Sequence, residues 1–436
     1  MIQDFPPSAR ASATLNQGPA WDLMEKVKLR PKYDVQERPQ GMINLSGAVN
    51  NLMQDWMSIY ARDKLQFQPE ALAYGPLSGS QGLLNAAAGF FNRFFDPIDP
   101  VSIGHVLAAN GVTSLINMMA WTLCDEGDGI LYTTPNFYML DLDLTIRNNI
   151  TLLPVSTTSL RDPFRSGELV EALDAAVHEH SKMKFRMLFL CNPSNPQGRC
   201  YSRRTLDTLA SWCARRQMHL VVDEIYAMST FQSESEAGLA PFTSILSVCS
   251  RQNVHCLYGL SKDFNMGGVR MAFLVSRNAQ VLAAAAKLTW FTWLPVMSDR
   301  FITMFLSQQD TVEEYLVTYR SRLAEAYRRA AMALQTCQIP YEPANAGLFV
   351  FIDLSAWLQY FVGSALNTGP MLSPELRLCE YLIDHDIFLN AGEFAGCERA
   401  GRFRLVFTQD PNATELGISR IQAALDRLME KPVAYQ

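Results

Sequence analysis

Four groups of polar residues in this 436-residue chain follow short apolar runs or lie within one. An Asn-Pro-Ser-Asn-Pro run (192–196) follows the first, Asp223 and Tyr226 follow the second, Lys262 follows the third, and Arg404 lies inside the fourth. A desolvated lysine amine is a nucleophile, and an arginine fork binds a carboxylate. Each group alone also has a structural explanation, because Asn-Pro runs make turns and an Asp after a strand often caps a helix. The occurrence of all four groups in this order along one chain is the evidence that they form a functional site.

The apolar runs alternate with amphipathic segments between about residues 60 and 300. The strand candidates span 105–109, 130–134, 151–155, 186–191, 219–223, 253–259 and 271–276. The clearest helix candidates between them span 113–124, 167–180 and 203–216. Apolar strands separated by helices predict an α/β fold with a mostly parallel seven-stranded sheet between helices. Because ligands of such sheets bind at the carboxyl ends of the strands, we expect the polar residues to meet there.

The composition changes near residue 310, which marks a predicted domain boundary. Downstream lie a long charged helix (311–336) and then strand-, helix-, strand- and helix-like segments over 347–354, 373–386, 403–407 and about 413–430. This order predicts a smaller α+β domain over 310–436, after a large domain over 61–309. Residues 1–60 are predicted to be an N-terminal arm that forms part of the small domain, with the first 40 or so irregular.

Composition excludes several classes of protein. The chain is 48% hydrophobic and 18% charged, which is typical of a folded protein with large buried cores. Its net charge of −6 lacks the basic excess of a nucleic-acid binder, and no apolar run is long enough to span a membrane. The start of the chain shows no secretory signal. The nine cysteines never occur in C-x-x-C spacing, so we predict no structural metal and a cytoplasmic location.

Three strings resemble the class I/II aminotransferase family, whose members use pyridoxal 5'-phosphate (PLP). They are NPSNPQGRCYS (192–202), VVDEIYAMSTF (221–231) and YGLSKDFNMGGVRMAFLVS (258–276). AGLFVFIDLS (346–355) and LNAGEFAGCERAGRFRLVF (389–407) are similar to 1-aminocyclopropane-1-carboxylate (ACC) synthase and its relatives. The resemblance covers about residues 43–410. It implies the PLP-dependent transferase fold of type I and a homodimer that binds a small amino-acid substrate.

The resemblance also implies a role for each matching residue. Lys262, Asp223 and Tyr226 would be catalytic: Lys262 would hold the cofactor and move protons, and Asp223 would keep the pyridine nitrogen protonated. Arg404 would bind the substrate α-carboxylate. The further cofactor contacts implied are Asn195 and Tyr226 at the phenolic oxygen, Arg270, Val112 and Thr113 at the phosphate, Phe137 stacked on the ring, and Tyr74 at the neighbouring subunit's phosphate.

Three positions depart from the family pattern. Val49 stands where ACC synthases carry a glutamate associated with ring closure, which argues against cyclopropane formation. Gly259 stands where the family usually has a phosphate-binding serine. Trp290 and Trp293 lie in a segment that would form either an aromatic wall for a bulky substrate or packing at a dimer interface. Val49 and Trp290 are therefore predicted to contact substrate.

The resemblance implies an enzyme that acts on an amino acid or an amino-acid conjugate through a Cα carbanion. The favoured reading is an aminotransferase-family enzyme of secondary-metabolite biosynthesis. A carbon–sulfur β-lyase that cleaves cysteine-type conjugates to thiols is nearly as well supported, and ACC synthase ranks third. A non-enzymatic regulator is disfavoured, because Lys262 and Asp223 are both present.

Overall fold

The structure is a computed structural model that describes residues 5–15, 18–165, 167–231, 238–362 and 372–430. The predicted arm and small domain also include residues 1–4, 16–17, 363–371 and 431–436, which lie outside the described residues. The strands are β1 (Ile43–Asn44), β2 (Val106–Ala109), β3 (Gly129–Thr134), β4 (Thr151–Ser156), β5 (Phe185–Cys191), β6 (His219–Asp223), β7 (Val254–Gly259), β8 (Ala272–Ser276), β9 (Tyr341–Glu342), β10 (Phe349–Asp353), β11 (Ile387–Phe388), β12 (Asn390–Ala391) and β13 (Arg402–Val406).

The α-helices lie between these strands and at both ends of the described chain. They are α1 (Ala9–Ala13), α2 (Pro19–Lys28), α3 (Gln54–Lys64), α4 (Gln81–Phe94), α5 (Val112–Leu123), α6 (Leu140–Thr145), α7 (Gly167–Glu179), α8 (Arg203–Arg215), α9 (Leu260–Asp263), α10 (Ala279–Leu288), α11 (Val296–Ser307), α12 (Gln309–Thr336), α13 (Pro374–Asp384) and α14 (Pro411–Met429). None of these helices has the length and hydropathy needed to cross a membrane.

The large sheet has the order β2-β8-β7-β6-β5-β3-β4. Its strands match the seven strand candidates, and all pair in parallel except β8, which is antiparallel to both β2 and β7. Side chains alternate between two apolar cores, because successive residues of a strand point to opposite faces. In β7, Leu257 packs in one core with residues of α5, whereas Cys256 and Tyr258 pack in the other. The predicted mostly parallel sheet, covered on both faces, is therefore confirmed.

A smaller antiparallel sheet of order β12-β13-β10-β9 follows in the C-terminal part of the chain. β1 pairs in parallel with β11, which ties the N-terminal arm to this part of the fold. The prediction that the first 40 residues are irregular is wrong, because α2 forms within them. This helix has Pro19 in its first turn and buries Leu23 against the core. A proline fits the first turn because its missing N–H has no helical partner there.

Strand direction brings the polar groups together. β5, β6 and β7 are parallel and end at Cys191, Asp223 and Gly259, so the segments after them leave the same edge of the sheet. Because β8 runs in the opposite direction, it starts at this edge, and the short connection over residues 260–271 stays there. Arg404 approaches from β13 of the smaller sheet. This geometry places a cavity between the two sheets.

Candidate active site

A cavity of about 440 Å³ opens at this edge of the large sheet. It collects ten of the twelve residues predicted to form the site: Val49, Val112, Thr113, Phe137, Asn195, Asp223, Tyr226, Lys262, Arg270 and Arg404. In the part of the chain that the structure describes, no group of three or more His, Cys, Asp or Glu side chains is placed to hold a metal ion. The side chains with formal charge that line the cavity are one amine, two carboxyl groups and two guanidinium groups.

Lys262 lies on the short helix α9, directly after β7. Its amine donates a hydrogen bond to the carbonyl of Ala48 at 2.8 Å, and its own carbonyl accepts one from the Asn50 side chain at 2.8 Å. Burial, together with the positive charges of Arg404 and Arg270, lowers the pKa of the Lys262 amine to about 8, while Asp223 opposes the shift. An amine with this pKa is partly in its neutral, nucleophilic form near physiological pH.

Asp223 is the last residue of β6 and is buried. Its carboxylate accepts a hydrogen bond from the backbone N–H of Ile225 at 3.1 Å. Burial raises the pKa of Asp223 to about 7, although this hydrogen bond and the nearby Lys262 oppose the shift. A buried carboxyl group of this kind favours a cationic partner in the cavity, because a positive charge restores the ionised form.

Arg404 is 4% exposed and reaches the cavity from β13. Its two terminal nitrogens donate hydrogen bonds to the Asn195 side chain at 2.8 Å and to the carbonyl of Ser46 at 2.6 Å. Its Nε has no partner among the described residues. Since a buried guanidinium without a carboxylate is costly, the site is suited to receive one.

The start of α5 and Arg270 form a candidate anion site. Gly111 precedes α5 with φ of 125° and no side chain capping the helix, so the first N–H groups of the helix are left to a ligand. A Cβ on Gly111 would lie 2.4 Å from Nη2 of Arg270. The guanidinium is thus held against the helix start, where both can bind one phosphate group.

The absence of a side chain at position 259 is explained by the close approach of Val112. A Cβ at Gly259 would lie 2.7 Å from a methyl carbon of Val112, which itself lines the cavity. A serine at this position would therefore require the Val112 side chain to move.

Replacing Gly111 with alanine tests the anion site. The added methyl group would strain a backbone at positive φ and displace the Arg270 guanidinium, so we expect the Kd for pyridoxal 5'-phosphate to rise about tenfold. Fluorescence titration of apoprotein with the cofactor measures the change. Gly127→Ala is the matched control, because Gly127 also has a positive φ (82°) but has no atom within 4 Å of the added methyl group. Equal weakening in both variants would contradict the assignment of Arg270.

Two predicted residues, Tyr74 and Trp290, do not line the cavity of this chain. Tyr74 is 90% exposed and Trp290 is 62% exposed. Tyr74 stacks on Trp293 at 4.9 Å between ring centroids, and Trp293 contacts Trp290 edge-on at 5.6 Å. The contacts of Tyr74 with a neighbouring subunit and of Trp290 with substrate therefore stay predictions.

Sequence reasoning missed two residues that line the cavity and a third, Asn50, that contacts the backbone at Lys262. Asp143 lies on α6 inside the cavity, and Tyr138 places its ring 6.0 Å from the Arg404 guanidinium carbon. Asn50 fixes the backbone at Lys262, as described above. None of the three follows a strand candidate directly, so the rule used to find the others gave no signal for them.

The comparisons with known proteins identify the family of this chain. The model of the family "Aminotransferase class I and II" matches residues 41–421. The chain is 29% identical over 412 residues to "1-aminocyclopropane-1-carboxylate synthase-like protein 1" of Takifugu rubripes, covering 92% of this chain but only 64% of that protein. It is 28% identical over 396 residues to "Probable aminotransferase aclI" of Aspergillus oryzae, covering 88% of this chain and 91% of that protein.

The solved structures agree on the fold. A single mutant of aspartate aminotransferase from Thermus thermophilus superposes with a TM-score of 0.76 at 16% identity, covering 97% of this chain and 100% of that chain. The chain belongs to the aminotransferase class I and II family, and its cofactor is pyridoxal 5'-phosphate. The residues present fit this group, because an amine, a buried acid, the start of α5 and the Arg270 guanidinium line one cavity.

Proposed function

We propose that this protein is an aminotransferase of secondary-metabolite biosynthesis, acting on an amino acid or an amino-acid conjugate. The observation that supports it most is the enclosure of Lys262, Asp223 and Arg404 in one cavity with the anion site. When bound, the cofactor withdraws electrons from the substrate Cα and makes its proton acidic. The remaining work of binding, orientation and proton transfer belongs to the side chains.

The positions of these side chains suit that work. Arg404 would hold the substrate carboxylate in a two-pronged contact, and the Tyr138 ring beside it would limit the approach of water. Lys262, with its lowered pKa, would accept the Cα proton. Asp223 would retain a proton on the ring nitrogen. Asn195 accepts a hydrogen bond from Arg404, so it would align the bound substrate carboxylate with the cofactor.

The identity of residue 49 separates ACC formation from transamination and β-elimination. Val49 lines the cavity next to Ala48, the acceptor of the Lys262 hydrogen bond, and presents an apolar side chain there. It therefore supplies no carboxyl group for the ring closure of an ACC synthase. Transamination needs no group beyond Lys262 to return the proton, and the similar Aspergillus oryzae protein carries an aminotransferase name. β-Elimination uses the same first proton transfer, so it is the alternative that the experiment must separate.

A homodimer is also part of the proposal. Tyr74, Trp290 and Phe291 expose large aromatic surfaces, with 90%, 62% and 70% of their area accessible. Aromatic side chains are enriched at protein interfaces, where their burial is favourable. A second copy over this surface would bury them and would bring Tyr74 towards the partner's anion site.

Replacing Arg404 with lysine tests substrate binding. Lysine keeps the positive charge but cannot make the two parallel hydrogen bonds that a guanidinium group makes to a carboxylate. We therefore expect KM for the amino-acid substrate to rise about 100-fold while cofactor binding is retained. Steady-state kinetics and cofactor absorbance measure the two effects. Arg402→Lys is the matched control, because Arg402 lies on the same strand but pairs with Glu342 and Asp353. An unchanged KM in Arg404→Lys would contradict the carboxylate role.

The overall proposal is tested with holoenzyme, a panel of amino acids and a 2-oxo acid acceptor. Exchange of amino groups supports the aminotransferase. Pyruvate, ammonia and free thiol from cysteine conjugates would establish the β-lyase instead, and ACC from S-adenosylmethionine would establish the synthase. A protein that stays colourless after incubation with pyridoxal 5'-phosphate would overturn all three.

A further inference from the structure

A second buried carboxyl group lies in the cavity and has no part in the roles above. Asp143, on α6, is 7% exposed and lines the cavity together with Asp223 and Thr113. Its Oδ2 is fully buried and has no hydrogen-bond partner among the described residues. The Thr113 side chain partly offsets the effect of burial on the pKa of this carboxyl group. Since an unpaired buried carboxyl oxygen is costly and uncommon, this one calls for a functional explanation.

Asp143 shares the cavity with charged groups of other elements. Of the elements packed against α6, α5 and β4 carry no titratable side chain, and the titratable Tyr132 of β3 interacts with Asp141. The charged groups that share the cavity with Asp143 are Asp223, Lys262, Arg270 and Arg404. Burial raises the pKa of Asp143 to about 6, so the group is largely ionised at pH 7.5. Its negative charge in turn raises the pKa of Asp223.

We propose that Asp143 is a positioning residue that acts through Asp223, adding a second negative charge that favours positive charge on the cofactor's ring nitrogen. The proposal rests on the proposed function, because it assumes that Asp223 lies beneath that ring. Like charges close together hold protons more tightly than either does alone. A proton between Asp223 and the ring would therefore be retained to higher pH than with Asp223 alone. No bond is made or broken at Asp143.

The experiment compares Asp143→Asn with Asp141→Asn in the holoenzyme. Asparagine has nearly the same shape as aspartate but no charge. Asp141 lies on the same helix, is exposed and does not line the cavity, so its variant removes the same charge away from Asp223. In Asp143→Asn, we expect the pH midpoint of the bound cofactor's absorbance change to fall by about 0.5–1 units. Asp141→Asn should keep the wild-type midpoint.

A second measurement uses the apoprotein and does not depend on activity. A carboxyl group whose pKa is raised by folding lowers stability above its folded pKa of about 6, and this cost disappears as the pH falls to about 4. Asp143→Asn should therefore raise the apoprotein Tm by about 2–4 °C at pH 8, with no gain at pH 4.

The outcomes separate this inference from the proposed function. A coloured holoenzyme in which Asp143→Asn and wild type share one absorbance midpoint would overturn the role of Asp143 alone. A shift of the same size in Asp141→Asn would do so too, because it would reflect net charge only. An apoprotein Tm that is equal in wild type and Asp143→Asn at pH 8 also counts against the inference. A wild-type protein that never binds the cofactor would overturn the proposed function instead.

Discussion

Replacing Lys262 with alanine is expected to lower the turnover of the holoenzyme by about 10⁴-fold or more, because the covalent anchor and the base are lost together. The reason is structural as well as chemical. The Lys262 amine is buried and bonded to the Ala48 carbonyl, and among the described residues that line the cavity there is no second lysine. Borohydride reduction followed by peptide mass spectrometry should find the cofactor on the peptide that contains Lys262 in wild type and on no peptide in the variant.

The pH dependence of cofactor capture tests the state of this amine. With a pKa of about 8, the neutral fraction of Lys262 rises about tenfold between pH 7 and pH 9 and then levels off. An unperturbed lysine would give a rise of about 100-fold over the same range, with no plateau. Rapid-mixing absorbance of apoprotein with pyridoxal 5'-phosphate measures the rate at each pH.

Lys287→Ala is the control for both measurements, because Lys287 is exposed on α10 and lies outside the cavity. It should match wild type in labelling, turnover and pH profile. The assignment of Lys262 would be wrong if the label appeared on another lysine, or if Lys262→Ala retained a substantial share of the turnover.

The largest loss of stability is expected from Asp263→Ala. Asp263 is fully buried, and its carboxylate accepts hydrogen bonds from the Met228 backbone N–H at 2.9 Å, the Ser229 hydroxyl at 2.5 Å and the Tyr258 hydroxyl at 2.9 Å. Alanine would leave the Met228 N–H and the Tyr258 hydroxyl without an acceptor, while the Ser229 hydroxyl would keep only its contact with the Tyr319 hydroxyl. The free energy of unfolding should therefore fall by about 3–5 kcal/mol. Urea denaturation followed by circular dichroism measures this.

Asp263 also joins the Lys262 helix to the segment after Tyr226. Its loss should therefore slow cofactor capture at a temperature where the variant is still folded. Asp299→Ala is the matched control, since Asp299 is a buried acceptor for the Ser80 backbone N–H and hydroxyl outside the cavity. Asp299→Ala should lose stability without slower capture. Equal capture rates in the two variants would show that Asp263 only stabilises the fold.

Much of the fold and of the site could be predicted from the sequence. The strands of the large sheet are continuous apolar runs. Asp223 ends one of these strands, and Lys262 lies three residues after the end of another. Residues at the carboxyl ends of neighbouring parallel strands meet at the same edge of the sheet, so their positions in the sequence are enough to predict that they lie close together. Arg404 is different, because it lies inside a strand of the smaller sheet, and only the family resemblance assigned it.

What could not be predicted depends on packing between elements distant in sequence. Asp143 lies in the string LDLDLT (140–145), where nothing distinguishes it from the exposed Asp141. Only the packing of α6 against α5 buries one acid and leaves the other in solvent. The missed helix α2 is similar, because it is amphipathic but short, and its apolar side is recognised only when Leu23 meets the core.

The reversed direction of β8 has a consequence for how the protein can change over evolution. The connection over residues 260–271 carries both Lys262 and Arg270, so its length sets the separation between the proposed covalent anchor and the proposed phosphate anchor. Each added residue would lengthen this spacer by up to about 3.3 Å. The helical crossovers elsewhere in the sheet bear no such constraint. Insertions should therefore accumulate in those crossovers. The length of residues 260–271 should stay constant, because the size of the cofactor is constant.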